Sequence, residues 1–209
     1  MKLSTTITLL AALLFIPLFI TRGWGIFDFW WWLSTNLVVL VMTITIFDHT
    51  WAQAIRKDLN DKILLKFGLG ILTALLLYVV FAVGNIASRH LFAFADNGIQ
   101  DVYAFKMDAS KYRIAILMLL IIGPGEELFW RGYLQRSYQK RTGQFPGFLM
   151  ATGFYTLVHM GSGNTMLVLA AAVCGLYWGY LYLKFNSMAL NVVSHTVWDM
   201  TVFLWLPFH

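Results

Sequence analysis

Residues 114–135 read IAILMLLIIGPGEELFWRGYLQ, an apolar run followed within the same segment by Glu126, Glu127 and Arg131. The run is apolar enough to lie in the hydrocarbon of a lipid bilayer. Because an ionisable group at that depth is costly, its presence in a membrane span indicates a functional site. This stretch therefore predicts the class of fold, a bundle of membrane helices, and the place where its chemistry lies.

The composition of the whole chain agrees with a membrane protein. Of its 209 residues, 59% are hydrophobic and only 12% are charged, whereas soluble domains carry about 25% charged residues. We therefore predict an all-α fold, a polytopic transmembrane helix bundle of about seven (six to eight) spans. Residues 1–209 are expected to form a single integral membrane domain, because the spans leave no room for a separate soluble one.

Seven apolar segments account for this number of spans. They are residues 4–21, 24–47, 67–87, 113–138, 145–160, 164–183 and 187–206. Residues 48–67 mix charged and apolar side chains at helical spacing, which predicts an amphipathic helix on the membrane surface. Residues 88–111 hold several aspartates and read as a longer exposed loop. Gly175 and Gly179 predict a close contact between helices.

The basic residues are divided unequally between the two ends of the predicted spans. One side collects Lys2, Arg56, Lys57, Lys62, Lys66, Arg136, Lys140, Arg141 and Lys184, and the other holds Arg22, Arg89, Lys106, Lys111 and Arg113. Because basic residues accumulate in cytoplasmic loops, the bias predicts a multi-pass protein of the cell membrane with its N-terminus in the cytoplasm and His209 outside. The net charge of +5 is scattered over short loops, so no nucleic-acid partner is expected.

Histidines in two later spans reach a depth similar to that of the acidic pair. At the helical rise per residue, Glu126 lies roughly 18 Å from the cytoplasmic end of its helix, His159 roughly 20 Å and His195 roughly 14 Å. Three separate helices thus bring ionisable groups to one level. Facing groups there can satisfy one another's hydrogen bonds, which hydrocarbon cannot do.

Four-residue spacings place polar side chains on common helix faces. The three pairs are Glu127 with Arg131, Tyr155 with His159, and His195 with Asp199. Glu126 points about 100° away from Glu127, which allows the two acids different roles.

These residue types suit hydrolysis. A desolvated carboxylate can act as a general base on water, with a histidine sharing or relaying the proton. Arg131 can keep Glu127 ionised, and His195 with Asp199 can stabilise the oxyanion that forms when water attacks an amide. A divalent metal such as zinc is an alternative, because four side chains also make a credible ligand set: Glu126, His159, His195 and Asp199. The sequence leaves hydrolysis with and without a metal open.

At these positions the chain resembles the CAAX prenyl protease and bacteriocin-processing family of intramembrane proteases, called CPBP or Abi. The first family motif, two glutamates, three residues and an arginine, is met by Glu126, Glu127 and Arg131. The second, phenylalanine, three residues and histidine, is met by His159, with Tyr155 where phenylalanine is usual.

The third family motif, histidine followed four residues later by asparagine or a similar residue, is met by His195 and Asp199. The resemblance covers about residues 113–206, which it implies are the catalytic core. It also implies that Glu126 and His159 activate water while His195 and its partner serve the oxyanion. Aspartate at position 199 is a poorer hydrogen-bond donor than asparagine and a better metal ligand.

The resemblance implies an intramembrane endopeptidase acting on a membrane-associated, lipidated or C-terminally anchored protein, or on a small secreted peptide. Its partners would be that substrate and the lipid bilayer. Two alternatives stay open. One is a non-proteolytic membrane scaffold or immunity protein with the same polar core, and the other is an ion or proton carrier, for which buried acids and histidines are equally natural.

Overall fold

The computed structural model describes residues 3–106 and 109–208. Lys2 and His209 of the topology prediction, and Asp108 of the predicted loop, lie outside these residues. The described chain is almost entirely helical, which confirms the all-α class. The N-terminal half comprises α1 (Leu3–Thr21), β1 (Gly23–Trp24), β2 (Phe27–Asp28), α2 (Phe29–Phe47), α3 (His49–Leu59), α4 (Ile63–Leu91) and α5 (Ala95–Ala104).

The segment with the two glutamates is one continuous helical rod, residues 111–142, here called the motif helix. It contains α6 (Lys111–Leu117), α7 (Gly123–Phe129) and α8 (Arg136–Thr142), joined by π-helical turns over Met118–Ile122 and Trp130–Gln135. The junction residues all keep right-handed helical backbone angles. The first π turn ends two residues before Pro124, whose missing N–H cannot continue the regular hydrogen-bond ladder.

Three more helices complete the bundle: α9 (Gln144–His159), α10 (Thr165–Phe185) and α11 (Met188–Met200), which a π turn extends over Thr201–Trp205. The starts of α10 and α11 are fixed by side-chain caps. Asn164 accepts a hydrogen bond from the backbone N–H of Leu167, and Ser187 accepts one from Leu190. Such caps satisfy N–H groups that have no partner within the helix.

Hydrogen bonds between helix ends define two opposite faces of the bundle. On one, here called the α5 face, Arg22 at the end of α1 donates to the carbonyl of Ser162 after α9, and Arg113 pairs with Asp28 before α2. On the other, here called the α3 face, Arg136 donates to the carbonyl of Thr50 in α3. Seven helical segments therefore run alternately between the two faces: α1, α2, α4, the motif helix, α9, α10 and α11.

Four helices, α1, α2, α4 and α10, are long and apolar enough to cross a membrane by length and composition. The other three segments are interrupted by π turns or are shorter and more polar, because they carry the ionisable residues. The number of about seven spans therefore stays a prediction.

Of the two predictions for the segments between spans, the structure confirms one and contradicts the other. Residues 48–67 do contain an amphipathic helix, α3, which buries Trp51. The exposed loop predicted over residues 88–111 is wrong, since α4 continues to Leu91 and α5 follows. The aspartates concealed the helical spacing of the apolar residues Ala95, Ile99 and Val102. Ala95 is fully buried.

Glycines let the helices approach closely. A Cβ atom at Gly175 would lie 3.1 Å from Thr152 of α9, and one at Gly179 would lie 2.7 Å from the ring of Phe148. This confirms the predicted close contact of α10. A Cβ atom at Gly123 of the motif helix would lie 2.3 Å from Oγ1 of Thr196 in α11.

We expect Gly123→Ala to destabilise the fold. The added methyl group would push α11 away from the motif helix, and overpacking of this kind costs about 1–3 kcal/mol. Gly153→Ala in α9 is the matched control, because no atom of the described residues lies within 4 Å of a Cβ there. The melting temperatures of the purified proteins in detergent test this. A Gly123→Ala protein as stable as Gly153→Ala would contradict the described packing.

Candidate active site

The carboxylate of Glu127 is the centre of a polar network within the bundle. Its side chain is completely buried. Oε1 accepts hydrogen bonds from Nη1 of Arg131 at 2.8 Å and from Nδ1 of His195 at 2.7 Å. Oε2 accepts one from Nδ2 of Asn191 at 3.0 Å. One carboxylate thus joins the motif helix to α11.

The guanidinium of Arg131 is enclosed by aromatic rings. Its central carbon lies 4.9 Å from the ring centroid of Tyr155 and 5.6 Å from that of Trp178. Its Nη2 donates to the carbonyl of Cys174 in α10 at 3.4 Å. Planar, weakly hydrated guanidinium groups suit such stacking, so the cation is partnered on its edge and on its faces.

His195 lies between the two glutamates. An ionised carboxylate only accepts hydrogen bonds, so Nδ1 of His195 donates to Glu127. Nε2 lies 3.9 Å from Oε2 of Glu126 and 3.6 Å from Oδ1 of Asp199. Both distances exceed those of direct hydrogen bonds. The ring stacks on Trp178 with centroids 3.7 Å apart, which fixes its plane.

Glu126 points away from Glu127, as predicted, and its carboxylate faces α9. The hydroxyl of Tyr155 donates to Oε2 of Glu126 at 3.1 Å. The side chain is buried but, unlike Glu127, lines a cavity. The two adjacent acids therefore have different surroundings.

His159 is oriented by its own helix. Its Nδ1 lies 2.7 Å from the carbonyl oxygen of Tyr155, and because a carbonyl only accepts, Nδ1 carries the proton. In the neutral imidazole, Nε2 is then the basic nitrogen. The ring packs against Phe19 of α1, with centroids 4.4 Å apart, and against the ring of Tyr155.

A cavity of about 480 Å³ connects these groups. Five of the predicted site residues, drawn from the motif helix, α9 and α11, line it: Glu126, Tyr155, His159, His195 and Asp199. Glu127 and Arg131 lie behind it and hold His195. The rest of the lining is mainly apolar and aromatic, so the polar groups form a patch in an otherwise apolar chamber.

Two residues of the network were not singled out as site residues from the sequence. Trp178, which reads as a packing residue, stacks on His195 and on Arg131. Asn191 donates to Glu127 and to the carbonyl of Trp178. Asn191 could have been identified from the sequence, because it precedes His195 by four residues and is a polar residue in an apolar segment.

The predicted metal ligands are not gathered into one group in the described part of the chain. Within residues 3–106 and 109–208, no group of three or more His, Cys, Asp or Glu side chains is placed to hold an ion. The four predicted ligands line one chamber, and each imidazole keeps its Nε2 toward that chamber's side of the ring, because Nδ1 of His195 bonds to Glu127 and Nδ1 of His159 bonds to the carbonyl of Tyr155.

Comparison with known proteins bears on the same helices. Residues 109–201 match a family model described as type II CAAX prenyl endopeptidase, Rce1-like. No curated protein and no solved structure matches the chain. The matched segment carries all three motifs and every polar residue of the network. The resemblance indicated by the motifs is confirmed over residues 109–201, the segment that matches this family of CAAX prenyl proteases.

Proposed function

We propose that this chain is an intramembrane endopeptidase in which Glu126 and His159 activate water for attack on a peptide bond. The observation that carries the proposal is the convergence of acids and imidazoles from three helices on one apolar chamber. Residues 113–206 are the catalytic core of a single membrane domain spanning residues 1–209. The motif helix, α9 and α11 serve as further spans beside the four apolar ones.

The first step is deprotonation of water. Tyr155 holds one oxygen of Glu126, and Nε2 of His159 supplies a basic nitrogen in the same chamber. Together they take the proton as the water oxygen adds to the carbonyl carbon. The C–N bond breaks when that proton passes to the leaving amine, so the groups act first as base and then as acid.

The oxyanion requires a hydrogen-bond donor. Ionised Asp199 only accepts hydrogen bonds, so we assign the donor role to Nε2 of His195 in its imidazolium form. Asp199, 3.6 Å from that nitrogen, balances the charge. Glu127 and Arg131 are positioning residues, because they hold the imidazole from its other side.

The substrate is a peptide or protein at the membrane: a membrane-associated, lipidated or C-terminally anchored protein, or a small secreted peptide. The apolar walls suit such a chain, since they receive apolar groups without leaving polar groups unpaired. We place the protein in the cell membrane with its N-terminus in the cytoplasm.

We expect Glu126→Gln to abolish cleavage while leaving a folded protein. Loss of a general base lowers kcat by about 10²–10⁴-fold. Asp101→Asn in α5 is the control for removal of a carboxylate, and its rate should match wild type. Purified proteins in liposomes can be compared on two quenched peptides, one with a farnesylated CAAX end and one with an apolar secreted leader. Undiminished cleavage by Glu126→Gln would favour the scaffold alternative.

We expect Tyr155→Phe to lower kcat by about tenfold with little change in KM, because it removes only one hydrogen bond to a charged group, worth roughly 1.5 kcal/mol. Tyr155→Leu should lose considerably more, since Arg131 and His159 would also lose the aromatic ring. Steady-state kinetics on the same peptides test this. Equal rates for wild type and Tyr155→Phe would show that the hydroxyl does not position Glu126.

We expect Glu127→Gln to act on stability. Neutralising Glu127 leaves Arg131 as a buried, unpaired cation, and breaking such a pair costs about 3–5 kcal/mol. The identical change at the neighbouring position, Glu126→Gln, is the control and should melt close to wild type. Thermal unfolding in detergent measures both. A Glu127→Gln protein that melts like Glu126→Gln would contradict the central position of Glu127.

A further inference from the structure

We propose that the cavity is reached from the extracytoplasmic half of the membrane, through a cleft between α4 and α10. Its occupant is an extended apolar segment of an exported or outward-facing peptide. The nature of the occupant rests on the proposed function, whereas the route and its side rest on the geometry and charge of the bundle.

The cavity lies toward one end of the bundle. Its described lining comes from the halves of the helices that lie toward the α5 face, together with α5 itself. Toward the α3 face the bundle is filled by buried side chains, among them Leu134, Gln135 and Tyr182. Gln135 also donates to the carbonyl of Gly179 at 2.8 Å, which ties the motif helix to α10. Toward the α5 face the cavity occupies the interior, and aromatic side chains such as Phe29 and Trp30 form its walls.

The aqueous end of the cavity is roofed by α5. The apolar residues Ile99 and Val102 of α5 line the cavity, while Asp101 lies on the exposed side of the helix. The roof is attached to the bundle, since the amide of Asn164 donates to the carbonyl of Gly98. A substrate therefore meets a closed roof from the water and needs a route from the side.

That route lies between α4 and α10. Small residues, Gly84 and Ala87 of α4 and Ala170 of α10, line the cavity at this place, so that their side chains fill little of the space between the two helices. Both rims of the cleft also line the cavity, and both are exposed: Leu91 of α4 by 73% and Val173 of α10 by 39%. An apolar cleft exposed on the side of a membrane bundle opens into lipid.

The charges indicate which leaflet this is. Near the α3 face lie eight basic residues: Arg56, Lys57, Lys62, Lys66, Arg136, Lys140, Arg141 and Lys184. Near the α5 face lie five: Arg22, Arg89, Lys106, Lys111 and Arg113. Ion pairs with aspartates occur on both faces: Arg89 with Asp96 and Arg113 with Asp28 near the α5 face, and Lys66 with Asp58 and Asp61 near the α3 face. The excess of basic residues places the α3 face in the cytoplasm and the cleft in the outer leaflet.

This orientation selects among the possible substrates. A lipidated tail in the cytoplasm would approach the α3 face, where the bundle is filled. A peptide that has crossed the membrane, or an anchored protein whose cleavage site lies outside, meets the cleft directly. The substrate class is therefore an exported apolar peptide segment.

Cysteine labelling tests the side without any need for activity. In a Cys174→Ala background, Ile26→Cys places a thiol on the α5 face, where Ile26 is 94% exposed, and Gln144→Cys places one at the exposed start of α9 on the α3 face. In intact bacterial cells, a membrane-impermeant maleimide should label Ile26→Cys and should reach Gln144→Cys only after lysis. Labelling of Gln144→Cys in intact cells, or of Ile26→Cys only after lysis, would overturn the proposal.

Two glycines of α4 test the cleft. A Cβ atom at Gly84 or at Gly68 meets no atom of the described residues within 4 Å, but only Gly84 lines the cavity. Gly84→Trp should therefore block the cleft without disturbing the packing, and Gly68→Trp is the matched control. The measured quantity is the alkylation rate of the native Cys174, which lines the cavity, by N-ethylmaleimide in liposomes.

We expect alkylation of Cys174 to be about tenfold slower in Gly84→Trp and unchanged in Gly68→Trp, with kcat/KM for the leader peptide falling in parallel. Equal alkylation rates in the two variants would overturn the route through the cleft. If the wild-type protein cleaves neither peptide, the proposed hydrolysis fails, while labelling and alkylation still decide the side and the route.

Discussion

The structure depends on the groups that balance the charge of one buried carboxylate, that of Glu127, and form hydrogen bonds with it. Hydrocarbon offers it no hydrogen bonds, so the charge can exist only where Arg131, Asn191 and His195 all reach it. These partners lie on the motif helix and α11, and Arg131 and Asn191 also bond to carbonyls of α10. Buried ion pairs add little net stability, but breaking one is costly. The network therefore favours a single arrangement of three helices over the alternatives that apolar packing alone would allow.

The same network divides the work between two adjacent acids. Glu126 and Glu127 are the only glutamates in the chain, and their helical positions turn one toward α11 and the other toward the cavity. His195 connects them, because its Nδ1 is fixed by the enclosed acid while its Nε2 faces the acid in the chamber. Since Trp178 fixes the plane of the ring, the position of Nε2 is set from behind the site. A substrate can then bind without displacing the groups that hold the catalytic nitrogen.

The sequence could predict those features that follow from the periodicity of residues within one helix. The faces shared by Glu127 and Arg131 and by His195 and Asp199 follow from four-residue spacing, and the structure has both pairs in contact. Hydropathy located the long helices because burial in lipid depends on composition. It missed α5, where the burial of Ala95 comes from tertiary contacts that the neighbouring aspartates concealed. The stacking of Trp178 on His195 was equally out of reach, since spacing within one helix does not show which ring on a second helix will meet it.

The two ends of the bundle are packed differently. This difference lets the protein be stable and still have space for hydrolysis in a membrane. Toward the α3 face, buried side chains such as Leu134 and Tyr182 interdigitate, and close packing of this kind holds the helices together. Toward the α5 face, where the cavity takes the place of packing, polar contacts at the helix ends hold the bundle. Examples are the bond from Tyr103 to the carbonyl of Val202 and the pair of Arg113 with Asp28. Hydrolysis needs both water and a bound chain beside Glu126. A bundle packed equally along its length would exclude them, so the space required by the reaction is confined to the end that hydrogen bonds can hold.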